Sequence, residues 1–268
     1  MNKTAISVLK KIGIGLNIFR TYYKGYRFLS DDTYLDGRKR VKLEMKKDSS
    51  RAETLNYLIS SLKRDTTYLE IGTRNPNQNF NLINATTKYS VDPGVEYKKN
   101  PVDFKLTSDA FFAKLEANEI LSSDIKFDVI FIDGLHLAEQ VDKDIANALK
   151  FIKQDGFIVL HDCNPPTQWH AREDYYYRYT PGGGIWNGTT WKAFLKWRAN
   201  ETIYSCCIDT DWGLGILSKK HNLGNRIQHS NEFYEFNNFD QNKKEYLNLM
   251  TFAEFCTLLE KQNQVQID

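Results

Sequence analysis

The segment Thr66-Thr67-Tyr68-Leu69-Glu70-Ile71-Gly72 constrains this chain more than any other. β-Formers alternate with the acid Glu70 and stop at a glycine, the pattern of a buried strand ending in a loop where the backbone can approach a ligand. Twenty residues beyond Gly72, the run Lys88-Tyr89-Ser90-Val91-Asp92 again ends in an acid. In a doubly wound sheet the second parallel strand lies beside the first, so a carboxylate at its tip sits where a ribose diol can be held. The pair points to a nucleoside-type ligand.

The chain around this pair repeats the theme. Ser49-Ser50-Arg51-Ala52-Glu53 reads as a capped helix start, followed by Leu55, Leu58, Ile59 and Leu62 at helical spacing. Phe80, Leu82 and Ile83 suggest a short helix, and Val102-Asp103-Phe104-Lys105-Leu106 alternates as a third strand. Phe127 to Ile132 is nearly continuous apolar, as a central parallel strand should be, and runs into Asp133-Gly134-Leu135-His136. A helix carrying Val141, Ile145 and Ala148 leads to a fifth strand, Phe157 to Leu160, which ends in His161-Asp162. Two strand tips thus each present one histidine and one aspartate. Ile203 to Ile208 and Trp212 to Leu217 are too close for a crossover, so the last strand is expected to be antiparallel. Between them and the fifth strand, residues 163–190 form a long connection of the kind that is usually functional or mobile.

Composition narrows the class further. Thirty-six basic against thirty-four acidic residues leave +2, which argues against a nucleic-acid partner. The cysteines Cys163, Cys206, Cys207 and Cys256 lack zinc or disulfide spacing and fit reduced thiols in a cytoplasm. No stretch reaches the roughly 18 apolar residues of a transmembrane helix. Met1 to Phe19 is interrupted by Lys3, Lys10 and Lys11 and has no signal-peptide cleavage pattern. It is expected to form a short amphipathic helix docked on the core, with a membrane-surface or dimer helix as the alternative. The organisation expected is a helical and charged extension over 1–48, an α/β domain over 49–220, and a polar segment over 221–268 with a helix from Glu245 to Leu259.

Leu69-Glu70-Ile71-Gly72, Val91-Asp92, Thr107-Ser108-Asp109, Phe131-Ile132-Asp133-Gly134-Leu135-His136, Leu160-His161-Asp162 and Asp209-Thr210-Asp211-Trp212-Gly213-Leu214-Gly215 together resemble the class I S-adenosylmethionine-dependent methyltransferases. Within them the closest likeness is to the small-molecule O-methyltransferase branch with Asp-Gly-x-His and His-Asp motifs. The resemblance covers Arg51 to Lys219 and implies a Rossmann-like, doubly wound, seven-stranded, mostly parallel sheet in the order 3-2-1-4-5-7-6, with helices on both faces. It implies S-adenosylmethionine as cofactor. Glu70, Gly72 and Asn75 would shape the methionine side, Asp92 would hold the ribose, and Ser108 and Asp109 would flank the adenine unless they merely cap a helix. Asp133 would lie at the same crevice. The loop departs from the family's second and third glycines, having Thr73-Arg74-Asn75-Pro76-Asn77, where Asn75 or Asn77 could take a left-handed conformation in their place.

Methyl transfer to a hydroxyl requires alignment and removal of one proton, for which His136 and His161 are the candidate bases, with Asp133 orienting His136. A cation such as Mg²⁺ is the other means, with Asp133, Asp162 and Asn164 as ligands, although Cys163 interrupts the paired hard ligands of metal-using relatives. Tyr175, Tyr176, Arg178 and Trp186 would contact the acceptor, a small molecule or a saccharide hydroxyl, in bacterial glycan or secondary metabolism. The alternatives are an NAD-binding Rossmann oxidoreductase and a catalytically degenerate scaffold, and a homodimer stays open.

Overall fold

The computed structural model describes residues 3–227 and 231–265. Seven strands form one sheet: β1 (Thr67–Ile71), β2 (Thr87–Val91), β3 (Phe127–Ile132), β4 (Ile152–Leu160), β5 (Tyr204–Ile208), β6 (Leu214–Ser218) and β7 (Leu249–Met250). The helices are α1 (Lys3–Leu29), α2 (Asp32–Glu44), α3 (Arg51–Ser61), α4 (Ser108–Glu116), α5 (Ala138–Phe151), α6 (Thr190–Arg198), α7 (Phe236–Gln241), α8 (Lys243–Tyr246) and α9 (Phe252–Val265). The strands lie in the order β2-β1-β3-β4-β6-β5-β7, with β6 antiparallel to both its neighbours and β2, β1, β3 and β4 mutually parallel.

The expected order is present, with differences at both edges. The third strand shrinks to a single bridge between Phe104 and Val91. The Asp103 carboxylate accepts from the Ser90 amide and hydroxyl at 2.9 and 2.7 Å, so a side chain stands where the ladder would continue. At the other edge the expected helix over 245–259 is broken by β7, which pairs with Cys207 and Ile208. Asn248 ends α8 in a left-handed conformation, and its amide donates to the Leu223 and Ser205 carbonyls.

Period-two alternation sends the sheet's side chains into two cores. Leu69, Ile71, Ile130, Ile132, Ile158 and Leu160 pack with Phe111, Phe112, Val141, Ile145 and Phe194 of α4, α5 and α6. Tyr68, Val129, Phe131, Phe157 and Val159 pack with Leu55, Leu58 and Ile59 of α3 and with Phe255 and Leu259 of α9. The start of β3 is a structural ion cluster: fully buried Asp128 takes Arg64, Lys153 and the Thr67 amide, all at 2.7–2.8 Å. Each of its lone pairs is matched, as a buried carboxylate requires. At the opposite end of the strands, where the histidines lie, the acids are paired with Arg51, His136 and His161 instead.

Asp144 on α5 is buried with Gln140 Nε2 at 3.0 Å. Burial pushes its carboxyl up to about 6, against hydrogen bonds from Ser108 and Gln140 that lower it. Because the folded value lies above the unfolded one, stability is full below about pH 4 and declines as pH rises to about 6. Asp144→Asn, which cannot ionise, is therefore expected to gain about 2 kcal/mol at pH 7 and nothing at pH 4. Urea unfolding at the two pH values checks this, and an equal change at both would rule the linkage out.

The N-terminal helix departs from expectation. The α1 side chains Ile12, Leu16, Phe19, Tyr23 and Tyr26 are 51–67% exposed, and a Cβ placed on Gly13, Gly15 or Gly25 would meet nothing within 4 Å. A single helix can dock only where its apolar stripe meets a complementary face, and the described side chains from Ile12 to Tyr26 meet none. It is α2 that docks: Gly37 packs on Pro181, and Arg40 reaches the Pro166 carbonyl and Asp240 at 2.8–3.0 Å.

Candidate active site

Backbone bonds prolong the parallel ladder past the strand ends and fix the tips there. Gly72 N donates to Val91 O, Asp133 N to Ile71 O and His161 N to Ile132 O, at 2.8–3.1 Å. The strand order reverses between β1 and β3, with β2 on one side and β4 on the other, and at such a switch point open α/β sheets bind ligands beyond the strand ends. Gly72 has φ +91°, and a Cβ there would lie 2.3 Å from the Asp133 carbonyl oxygen. The glycine is thus demanded by the neighbouring strand tip itself, whatever a ligand adds.

Four side chains converge at the β3 and β4 tips. His136 Nδ1 stands 2.5 Å from Asp162 Oδ2, and its Nε2 stands 3.3 Å from Asp133 Oδ1. His161 Nδ1 lies 3.1 Å from Asp133 Oδ1 and 3.3 Å from Asp162 Oδ2, while its Nε2 lies 3.3 Å from Asp211 Oδ1. Arg51, the first residue of α3, closes the far side, with Nη1 2.6 Å from Asp133 Oδ2 and Nε 2.7 Å from Asp211 Oδ2. Asn187 Nδ2 donates to Asp162 Oδ1 at 2.5 Å. Neither Arg51, Asp211 nor Asn187 had been assigned a role from the sequence. The Asp-x-Asp run after strand six was visible, but only folding brings it beside residues 51, 133 and 161.

The electrostatics follow from this packing. Burial would raise Asp133, but His161, Arg51 and His136 outweigh it and hold the carboxyl well below its usual range. Asp162 is likewise held down to about 2 by the two histidines against the opposing effect of burial. Burial opposes charge on the histidines, yet their flanking carboxylates lift His136 to about 10 and His161 well above its ordinary value. The cluster is a set of ions stabilised by one another rather than by water.

Asp211 lies in a turn of unusual backbone: Asp211, Trp212 and Gly213 have φ of +43°, +65° and +90°. Three outside contacts hold it. Glu44 of α2 accepts from the Trp212 amide at 2.8 Å, Arg51 grips Asp211, and the Asn164 amide donates to Trp212 O at 2.8 Å. That last bond, with Cys163 N to Gly213 O, ties Asn164 to this turn, and its Nδ2 donates to Asp209 at 3.0 Å. Its Oδ1 is buried and has no hydrogen-bond partner. The atoms that converge within 4.8 Å of one another belong to Asp133, His136 and Asp162.

The 163–190 connection is folded. Arg172 gathers the carbonyls of Trp169, Asp174, Gly183 and Ile185 at 2.6–3.1 Å, and Trp186 Nε1 donates to Arg172 O at 2.7 Å. Trp186 stacks on His136 with centroids 5.3 Å apart and planes 12° apart. Tyr175 meets Trp186 edge-on at 5.2 Å, and Arg178 lies over Tyr175 and donates to its hydroxyl at 3.2 Å. Trp186, Tyr175 and Arg178 thus continue outward from the histidine as one wall, with Tyr176 exposed at its rim. The wall is fastened beneath: the His136 carbonyl accepts from Thr189 N at 2.7 Å.

On the other side of the crevice, Glu70 is buried and accepts from Tyr68 Oη and Asn79 Nδ2, both at 2.6 Å, which anchors the end of the glycine loop. Asn75 is extended at φ −133° and accepts from Asn77 N, and neither asparagine adopts the left-handed conformation expected of a glycine substitute. Two short 3-10 turns, Pro76–Gln78 and Phe80–Leu82, take up the chain after β1 instead. Asp92, at the β2 tip, accepts from Gly94 N at 2.6 Å. Thr107, not Ser108, caps α4, and Gln140 Nε2 donates to Ser108 Oγ and Asp109 Oδ1 at 3.1 and 2.9 Å.

Residues 57–163 match a family model described as a methyltransferase domain. Among solved structures, an O-methyltransferase from Bacillus cereus in complex with SAH aligns at 13% identity over 72% of this chain and 96% of that one, with a TM-score of 0.42. TomG from Streptomyces achromogenes, an O-methyltransferase of tomaymycin synthesis in complex with SAM, aligns at 11% identity over 74% and 94%, with a TM-score of 0.40. The SAH-bound methyltransferase PaMTH1 from Podospora anserina aligns at 14% identity over 75% and 95%, with a TM-score of 0.39. No curated protein matches the chain. The matched segment runs from α3 through the β4 tip and contains Gly72, Asp92, Asp133, His136, His161 and Asp162. Over residues 57–163 the chain is thus similar to methyltransferase domains, and its sheet has the strand order expected from that likeness.

Proposed function

We propose that the protein transfers the methyl group of S-adenosylmethionine to a hydroxyl oxygen of a small molecule or saccharide, with His136 taking the proton. The observation that carries this is the meeting of His136, at the β3 tip, with the Trp186 and Tyr175 wall. S-Adenosylmethionine brings a methyl group already activated on sulfonium, so the chain has to align the acceptor and remove one proton. Asp133 and Asp162 hold the imidazole in place and favour its protonated product. The same acids would keep the resting ring protonated, and a sulfonium, if bound in the crevice, would favour its neutral form. The absence of a Gly-rich turn before a long helix after β1 speaks against a pyrophosphate cofactor such as NAD.

The carboxylate of Asp92 suits the ribose hydroxyls. One of its oxygens is occupied by Gly94 N, leaving the other for the ligand. Asp92→Ala is expected to weaken S-adenosylmethionine by about 1 to 3 kcal/mol while leaving the fold intact. Calorimetry measures this, and unchanged affinity would remove the ribose assignment. The same titration on the unaltered protein separates an active methyltransferase from a degenerate scaffold that binds nothing.

A second reading gives the cluster a divalent cation. Nδ1 of both His136 and His161 is buried and has no aligned hydrogen bond, although carboxylate oxygens stand 2.5 and 3.1 Å away. Unaligned donor atoms closing on one point suit a cation held by Asp133, His136 and Asp162. Mg²⁺ there would lower the pKa of an acceptor hydroxyl.

A further inference from the structure

We propose that α1 is a peripheral helix that lies along an anionic lipid surface. The inference is independent of the chemistry of the site. Six of the chain's thirty-six basic residues fall on α1, namely Lys3, Lys10, Lys11, Arg20, Lys24 and Arg27, and none of its thirty-four acidic ones does. The remainder, with thirty basic against thirty-four acidic residues, is net negative, so the positive charge is concentrated on this one helix. Ile12, Leu16, Phe19, Tyr23 and Tyr26 recur at intervals of four, three, four and three residues, which places them along one face. That face is open to solvent over its length.

Three occupants compete for it. The chain's own core is excluded by the exposure of these side chains and the empty space around Gly13, Gly15 and Gly25. A second copy would bring two wholly basic helices together with no acidic partner on either, which is repulsive along the whole seam. An anionic bilayer satisfies both halves of the helix, since the acyl boundary takes the apolar face and the headgroups take the lysines and arginines. Tyrosines, with an apolar ring and a polar tip, are suited to that depth. Spanning is not an option, because no helix among the described residues is long and apolar enough to cross a membrane. The helix would lie flat, along about 40 Å of surface.

The test is sedimentation of the full chain with vesicles of phosphatidylcholine alone or containing about a third phosphatidylglycerol, with analytical ultracentrifugation in the absence of lipid. Binding is expected only to the anionic vesicles, with release at high salt. Arg20→Gln with Lys24→Gln should weaken it about 25-fold, from the loss of about fivefold per basic residue. Phe19→Ser with Tyr23→Ser should weaken it as well. Because these side chains touch no core, both double variants should keep the thermal transition of the parent. Equal binding to neutral vesicles, no binding to either, or a dimer in lipid-free solution that Phe19→Ser with Tyr23→Ser dissolves would overturn the proposal.

Discussion

Replacing His136 by alanine is expected to lower methyl-transfer turnover about 10²-fold or more, the usual scale for losing a general base, with S-adenosylmethionine affinity nearly unchanged. The imidazole stacks on Trp186 and is backed by two carboxylates, so on the proposed reading its loss removes the proton acceptor and leaves the Gly72 and Asp92 side of the crevice intact. Removing the imidazolium from between Asp133 and Asp162 also exposes their repulsion, and His136→Arg, which keeps a cation but cannot act as a base, separates that cost from the chemical one. A chelator is expected to leave turnover unchanged. If a divalent cation does the work instead, the chelator abolishes turnover, Mg²⁺ restores it, and Asp133→Asn and Asp162→Asn are at least as damaging as the histidine change. Chelator-sensitive turnover together with a fully active His136→Ala protein would refute the histidine mechanism.

Gly188→Ala should cost more stability than any other glycine substitution in the acceptor loop, about 3 kcal/mol or more, because backbone must move to admit it. Its φ is +61°, and a Cβ would stand 2.0 Å from the His136 carbonyl oxygen and 2.8 Å from His136 Cβ. Neither atom is the free end of a flexible side chain. The shift would also disturb the flanking bonds, Asn187 to Asp162 and Thr189 to His136. Gly183 supplies the control, having φ +56° but nothing within 4 Å of its Cβ position. Gly183→Ala should therefore show only the left-handed backbone penalty of about 1 kcal/mol. Urea midpoints for the two variants decide the matter: equal losses would mean that the contact with His136 is not close in solution.

What could be read in the chain was what parallel strands impose. β3 is buried on both faces, so its apolar run was unmistakable, and the first polar residues after β3 and β4 had to emerge at the sheet's edge. That delivered Asp133, His136, His161 and Asp162 together. Arg51 escaped because its charge lies 82 residues from Asp133 and 160 from Asp211, and no local period links them. The third strand alternated correctly but lost its ladder to one aspartate side chain, a competition between backbone and side chain that periodicity does not register. The docking of α1 failed on a different ground, since an amphipathic stripe states that a face will be covered and not by what.

The left-handed turn at Asp211, Trp212 and Gly213 sets the order in which the molecule fails. Each such residue stores on the order of 1–3 kcal/mol unless it is glycine, and here the restraint comes from Glu44 and Arg51. Glu44 belongs to α2, a helix that packs on loops and outside both cores of the sheet. Local opening of α2 is thus cheaper than opening of the sheet and would release the Trp212 amide, while Arg51 of α3 still holds Asp211 beside His161. A surface helix is accordingly the first part of the fold whose loosening reaches the turn beside the cluster, before any strand opens.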